Sequence, residues 1–422
     1  MVSSAERASL PLLPRLALVG GGLTAAIDGI RLLYAVLFSG IDTLFNDFYD
    51  YWGAAVLLNR GADPYDIGAL SGVLHGAGLH TEVGGGYSYP LLLAQTLRPL
   101  ALLPPHAAAL VFAALSVLAL GLASSLLLGA LRALSLPLAV VGGSVIAAFP
   151  PLMGCLYFGQ ANLFVLVALA LAWRLVAPAG WLAVATAIKL YPATGFLTFI
   201  TRPSRASLRR LVSGGAILAA LVLIPQIGAR GSLAGQTSAL LAPDTYWSNA
   251  SVNGWVSRLS LTSTWTTPPL PGLPTGTVVL LVCAVLAAAT IVVLLRAGGA
   301  PESGRLALCL WLGVVIAPKN SFWNFAPLII AVVSVWQLRG HHRWPVALTV
   351  VGWLLIQGQS QLDSARDTVY RGGSYLTWFS GLALWGALLI GGALAWLLLA
   401  KNQPRGTERE LIAHRWETRS DG

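Results

Sequence analysis

Asp47 and Asp50 stand one helical turn apart in the run Asn46-Asp47-Phe48-Tyr49-Asp50-Tyr51-Trp52, just after an apolar stretch from about Leu16 to Phe38. A carboxylate at that boundary lies where water, aromatic side chains and a lipid headgroup meet. There it can take the proton of an attacking hydroxyl, whose own pKa is too high for it to ionise unaided. Lys189 is the second chemical group. It sits amid apolar residues with no acid in its own segment, so it must face a bundle interior or a cavity. A cation there can neutralise a departing phosphate, or pair with Asp28 as a purely structural partner. Arg258, on an outer segment able to lie along a membrane surface, is a further candidate for phosphate. Gln160 and Asn162 open a helix, as caps or as sugar ligands.

Each residue has a plainer reading. Asp47 can cap a short helix running to Asn59. Asp47 and Asp50 together can hold a divalent ion, but no further ligand set accompanies them, so neither a metal nor a cofactor is expected. Asp63 and Asp66 flank Pro64-Tyr65 and shape a turn. Asp28 and Arg31, one turn apart, neutralise each other within the first apolar stretch.

The elements that must position these groups are apolar helices. Of 422 residues, 56% are hydrophobic and 10% charged, a composition foreign to soluble domains of this length. Fifteen tryptophans suit interfacial anchoring. The net charge of +10 is spread between apolar segments, which points to lipid headgroups and away from nucleic acid. Cys155, Cys283 and Cys309 lie in apolar segments without metal-ligand spacing and read as small core residues. The first apolar stretch is too long for the core of a cleavable signal.

Windows of about 20 residues give about twelve spans. They centre near Ala26, Thr96, Leu118, Val145, Val167, Ile188, Ala219, Ala284, Gly313, Ile330, Leu354 and Leu388. The expected fold is an all-α, polytopic transmembrane bundle over residues 1–400, with short interfacial helices in its outer loops and a polar cytoplasmic tail over 401–422. Arg202, Arg205, Arg209, Arg210, Arg296, Arg305, Arg339, Arg343, Lys401 and Arg405 fall in alternate loops. The loop from Ile41 to Ser88 carries Asp42, Asp47, Asp50, Asp63, Asp66 and Glu82 against Arg60 alone. This asymmetry places both termini in the cytoplasm and the acidic loop outside, in what is expected to be a bacterial plasma membrane. No nucleotide supply exists on that face. A sugar donor there must itself be a lipid, such as a polyprenyl-phosphate sugar, whose single phosphate leaves with the help of one or two cations.

At this point the residues carry a resemblance. Asp47 with Phe48-Tyr49-Asp50-Tyr51, then Gly61-Ala62-Asp63-Pro64-Tyr65-Asp66, resembles the first loop of glycosyltransferase family 87, of the GT-C superfamily. Tyr89-Pro90-Leu91, Gly159-Gln160-Ala161-Asn162, Ala187-Ile188-Lys189-Leu190-Tyr191-Pro192 and Ser251-Val252-Asn253-Gly254 with Arg258 follow in the family's order. The resemblance implies a GT-C-like fold and inverting, metal-independent transfer with Asp47 as base. It implies a polyprenol-phosphate-mannose-type donor and a lipid or glycan acceptor, phosphatidylinositol mannosides among them. Tyr89 and Asn253 join the substrate-binding candidates on that ground. One stretch departs from the pattern. Where the family often carries histidines, this chain reads Ala317-Pro318-Lys319-Asn320-Ser321-Phe322-Trp323-Asn324. Lys319 can fill a cationic role there, and Trp323 and Asn324 can stack on or hydrogen-bond a sugar. A transporter or lipid flippase, and an inactive membrane partner, are the competing classes; the first should show charges on several core helices and two related halves.

Overall fold

The computed structural model describes residues 12–79, 86–131, 134–231, 241–364 and 376–401. Glu82 of the acidic loop and the tail after Lys401, Arg405 included, lie outside the described residues. The first helices are α1 (Leu12–Ser39), α2 (Asn46–Asn59), α3 (Ile67–Gly76), α4 (Leu91–Leu97) and α5 (Pro105–Leu128). Then come α6 (Leu136–Ala147), α7 (Pro150–Phe158), α8 (Asn162–Trp173) and α9 (Pro178–Ile188). A 3-10 run, Tyr191–Phe196, leads through a single turn to α10 (Arg205–Leu223), α11 (Val252–Ser260) and α12 (Thr275–Arg296). The last are α13 (Glu302–Ile316), α14 (Leu328–Leu338), α15 (Trp344–Ser364) and α16 (Leu382–Ala400). The described residues form no strand, only an isolated antiparallel bridge between Asn249 and Ser321.

Small residues set the closest approaches, as expected where lipid removes the hydrophobic drive between helices. α1 runs antiparallel to α5: a Cβ on Gly121 would lie 3.0 Å from Ala25, and one on Gly129 3.2 Å from Ala17. α6 comes closer still, since a Cβ on Gly143 would sit 2.4 Å from the Gly20 carbonyl. Thr24 donates across that contact to Gly143 O at 3.0 Å. The Asp28–Arg31 pair forms as expected, at 3.2 Å, and Arg31 also donates to Ala147 O at 2.7 Å, tying α1 to α6.

Among the described residues, five helical segments are long and apolar enough to cross a membrane: Pro14–Ser39, Pro105–Leu128, Arg205–Gln226, Thr275–Arg296 and Thr377–Ala400. The α6–α7 pair, bent by 57°, makes a sixth if it counts as one span. That is fewer than the expected twelve: proline and glycine cut several of the remaining apolar stretches short, and α15, though 21 residues long, carries Gln357, Gln359 and Gln361. The stretch near Thr96 is a helix of 7 residues; those near Val167, Ile188 and Ile330 have 12, 11 and 11.

The short α4 has a topological consequence. It does not traverse the bundle but runs beside α2, where Arg98 Nε donates to Asn59 Oδ1 at 2.7 Å and Trp52 Nε1 to Leu103 O at 3.3 Å. α5 therefore starts at the Asp47 end, with His106 Nδ1 3.1 Å from the Tyr49 hydroxyl. Every segment from there to Lys189 runs opposite to the direction expected from a spanning α4. The 3-10 run Tyr191–Phe196 restores the alternation. It starts beside Gly313, near the C-terminus of α13, and the chain then descends to Thr201, which accepts from Arg305 Nη2 near the α13 N-terminus at 2.9 Å. Arg210 meets Glu302 at that same N-terminus, 2.6 Å apart.

Candidate active site

Asp47 enters the site through a strained corner. Phe45, the residue before α2, has φ 62, and its N–H donates to Tyr157 O at 2.9 Å. That bond ties the start of α2 to the end of α7. Gly159 closes the corner: its φ is 67, and a Cβ there would lie 2.6 Å from that of Phe48. Both conditions exclude a larger residue, and together they turn the following residue, Gln160, toward Asp47.

Gln160 is the hub. Its Nε2 donates to Asp47 Oδ2, while its Oε1 accepts from the Tyr51 hydroxyl at 3.0 Å and from Lys189 Nζ at 2.7 Å. The Asp47 carboxylate, which only accepts, and the Lys189 ammonium, which only donates, leave one orientation for the amide. Lys189, just past the end of α9, also donates to Asn324 Oδ1 at 2.7 Å and lies 4.9 Å from the centre of the Tyr89 ring. Asn162 Nδ2 donates to the same Asn324 oxygen, and the Tyr191 hydroxyl to Asn162 Oδ1 at 3.4 Å. The ammonium is thus held by neutral amide oxygens, which satisfy two of its three donors without cancelling its charge. Pairing of Lys189 with Asp28 does not occur: Asp28 is paired with Arg31.

Trp323 stacks on Phe158, with ring centroids 4.1 Å apart, and its carbonyl accepts from Cys155 at 3.2 Å. Its indole N–H is buried and faces the Asp47 carboxylate, whose ionised form it favours without closing to full hydrogen-bond geometry. Asp47 and Asp50 lie on α2, outside the membrane-crossing helices. Burial pushes the Asp47 carboxyl up, against the opposing pull of the Gln160 hydrogen bond and the Lys189 charge. Asp50 is raised well above the carboxylate range, first by burial and then by the Asp47 charge beside it. Two acids in one pocket are therefore pushed toward different protonation states, with the cation favouring the ionised form of Asp47 alone. Among the described residues no group of three or more His, Cys, Asp or Glu side chains stands where it could hold a metal ion.

Arg258 and Asn253 make their described hydrogen bonds outside the cluster at Asp47. Arg258 is fully buried. It donates to Ser380 Oγ and O, both at 3.0 Å, and to the Tyr246 and Asn249 carbonyls, both at 2.8 Å. Asn253 Nδ2 donates to the Ala242 and Pro318 carbonyls, both at 2.9 Å. These side chains tie residues 242–258 to Pro318 and Ser380, and none of their described hydrogen bonds reaches the cluster at Asp47. Arg258→Ala should accordingly destabilise the protein by about 3 kcal/mol or more, because several buried carbonyls lose charged donors. Thermal unfolding in detergent should show the loss, with turnover per folded molecule little changed. An unaltered midpoint with collapsed turnover would return Arg258 to the phosphate. Lys319 is exposed on the same stretch, and no described residue pairs with it.

Tyr51 and Tyr191 are part of the cluster although their sequence gives no chemical reason to single them out. Both stand in short runs that carry the family resemblance, and that was the signal available for them. The departure at the late proline also finds its place. With no histidine there, Asn324 completes the Lys189 cradle and Trp323 turns its N–H toward Asp47.

The profile of glycosyltransferase family 87 matches residues 87–318, more than half of the chain. Lys189, Gln160 and Asn162 fall inside the match; Asp47 and Asp50 precede it, and Trp323 and Asn324 follow it. No curated protein and no solved structure matches the chain.

Proposed function

The chain belongs to glycosyltransferase family 87 and is a membrane glycosyltransferase; from that premise we propose that it moves a sugar from a polyprenyl-phosphate donor to a lipid or glycan hydroxyl. The observation that carries this reading is the relay Asp47–Gln160–Lys189, which joins a base and an uncancelled cation through one amide. The acceptor oxygen attacks the anomeric carbon while Asp47 takes its proton. The bond from that carbon to the phosphate oxygen breaks on the opposite face, and the electron pair leaves with the lipid phosphate. Lys189, with one donor still free, meets the charge that develops there. The configuration inverts, and the proton on Asp47 returns to water. Asp50, pushed toward its neutral form by burial and by the Asp47 charge, and the Trp323 N–H beside Asp47 supply donors for sugar or acceptor hydroxyls, and Tyr89, Asn162 and Asn324 shape the pocket.

Purified protein in vesicles should transfer radiolabelled sugar from a polyprenyl-phosphate donor, and EDTA should leave the rate unchanged, since the cation needed at the leaving group is a side chain. Loss on chelation with recovery on adding a divalent ion would recast Asp47 and Asp50 as metal ligands.

The same reading puts the site outside and both termini in the cytoplasm. Support comes from Arg210, Arg305 and Arg339, which gather at the end of the bundle away from Asp47. In a cysteine-free background, cysteine at the exposed and uncrowded Gly72 should react with an impermeant thiol reagent from outside, and cysteine at Ala206 should not. The reverse pattern would end the assignment.

A further inference from the structure

A second concavity lies far from Asp47, and nothing in the transfer chemistry uses it. Its volume is about 650 Å³, and its wall includes Arg174, Arg339, Lys401, Trp173, Trp336 and Ser303. Its place in the fold follows from two helices. α8 starts at Asn162 in the site and ends at Trp173 in this cavity; α14 starts just after Asn324 and ends at Leu338 beside Arg339. At 1.5 Å per residue each path is roughly 17 Å long, so the cavity is at the opposite end of the bundle.

Three cations line it, and among the described residues no carboxylate does. The nearest acid in sequence, Glu302, is engaged by Arg210 at 2.6 Å. Arg339 is held in place: its guanidinium lies 3.5 Å from the centre of the Trp336 ring and donates to Trp336 O at 2.8 Å. Gln337 donates to Ala130 O at 2.8 Å and fixes the adjoining wall. Arg174 and Lys401 are exposed and have no hydrogen-bond or ion-pair partner among the described residues. Ser303, in the first turn of α13, adds a hydroxyl and the positive end of that helix. Cations at helix C-termini are ordinary taken singly. Three of them around one cavity repel each other unless an anion sits between them.

We propose that this cavity binds a phosphate-bearing anion, of the kind carried by an acidic phospholipid headgroup at the basic face of the membrane. Trp336, exposed beside Arg339, suits the interfacial depth at which such a headgroup lies. Its occupant would brace the lower ends of the two helices whose upper ends lead to Asn162 and Asn324.

The test uses the full purified chain in detergent micelles doped with phosphatidylglycerol or phosphatidylcholine, with native mass spectrometry to count retained lipid. Phosphatidylglycerol should be retained at least tenfold more than phosphatidylcholine. Arg174→Glu, an exposed and unpaired position that leaves packing intact, and the Arg174→Ala/Arg339→Ala/Lys401→Ala variant should both abolish the difference. Millimolar inorganic phosphate separates the sources: displacement of the lipid assigns recognition to the phosphate itself, and persistence assigns it to the whole headgroup. Equal retention of the two lipids, or full retention by Arg174→Glu, would overturn the proposal.

Discussion

Asp47→Asn is expected to lower turnover about a thousandfold, the ordinary magnitude for a lost general base and about 4 kcal/mol in the barrier. The substitution is conservative in shape. The asparagine carbonyl can still accept from Gln160 Nε2, so the hub and its bonds to Tyr51 and Lys189 persist. Only proton acceptance is removed. Expression, thermal midpoint and retention of a polyprenyl-phosphate donor should stay near those of the unaltered protein while radiolabel transfer disappears. Ordinary turnover in this variant would move the base elsewhere, with Asp50 next in line. Asp50→Asn should cost far less, because a carboxyl driven toward its neutral form by burial and by Asp47 acts as a donor, and an amide can donate too.

Replacement of Lys189 by methionine should cost more than tenfold in turnover, about 1.4 kcal/mol or more, with a smaller effect on donor affinity. The reason is that charge on the phosphate grows as the bond breaks, so the cation contributes most in the transition state. The pocket should tolerate the change: Gln160 Oε1 keeps the Tyr51 hydroxyl and Asn324 Oδ1 keeps Asn162. A second readout separates a chemical from a structural role. Asp47 works only when deprotonated, so activity falls as pH drops through its pKa. The Lys189 charge pulls that pKa down against the larger effect of burial. Without Lys189 the pKa rises, and the acid limb of the kcat/KM profile should move to higher pH. An unchanged rate would place the phosphate elsewhere, with the exposed Lys319 the first cation to try; an unmoved limb would break the link between Lys189 and Asp47.

The sequence by itself determined the class of the molecule and most of the chemical inventory. Apolar composition, the acid pair after the first apolar stretch and a lone lysine amid apolar residues each follow from what a bilayer tolerates, so they are legible without coordinates. Short runs such as Gly159-Gln160-Ala161-Asn162 and Ala187-Ile188-Lys189 pointed to residues that the fold brings together, because the constraint they record is local: a left-handed glycine, a helix end. The tertiary structure decided three other matters. Hydropathy counts apolar residues but not where a helix turns back, so α4 was read as a span when it lies along α2; that reversal is what brings Gln160 and Asn162 to Asp47 rather than to the other end. Arg258 and Lys189 look alike as lone cations in a sequence, yet one is surrounded by backbone carbonyls and the other by amide oxygens with a donor to spare. Lastly, Trp323 and Asn324 stand where the resemblance led one to expect histidine. Whether such a replacement keeps a site intact depends on which hydrogen bonds its neighbours need, and only the packed structure fixes those neighbours.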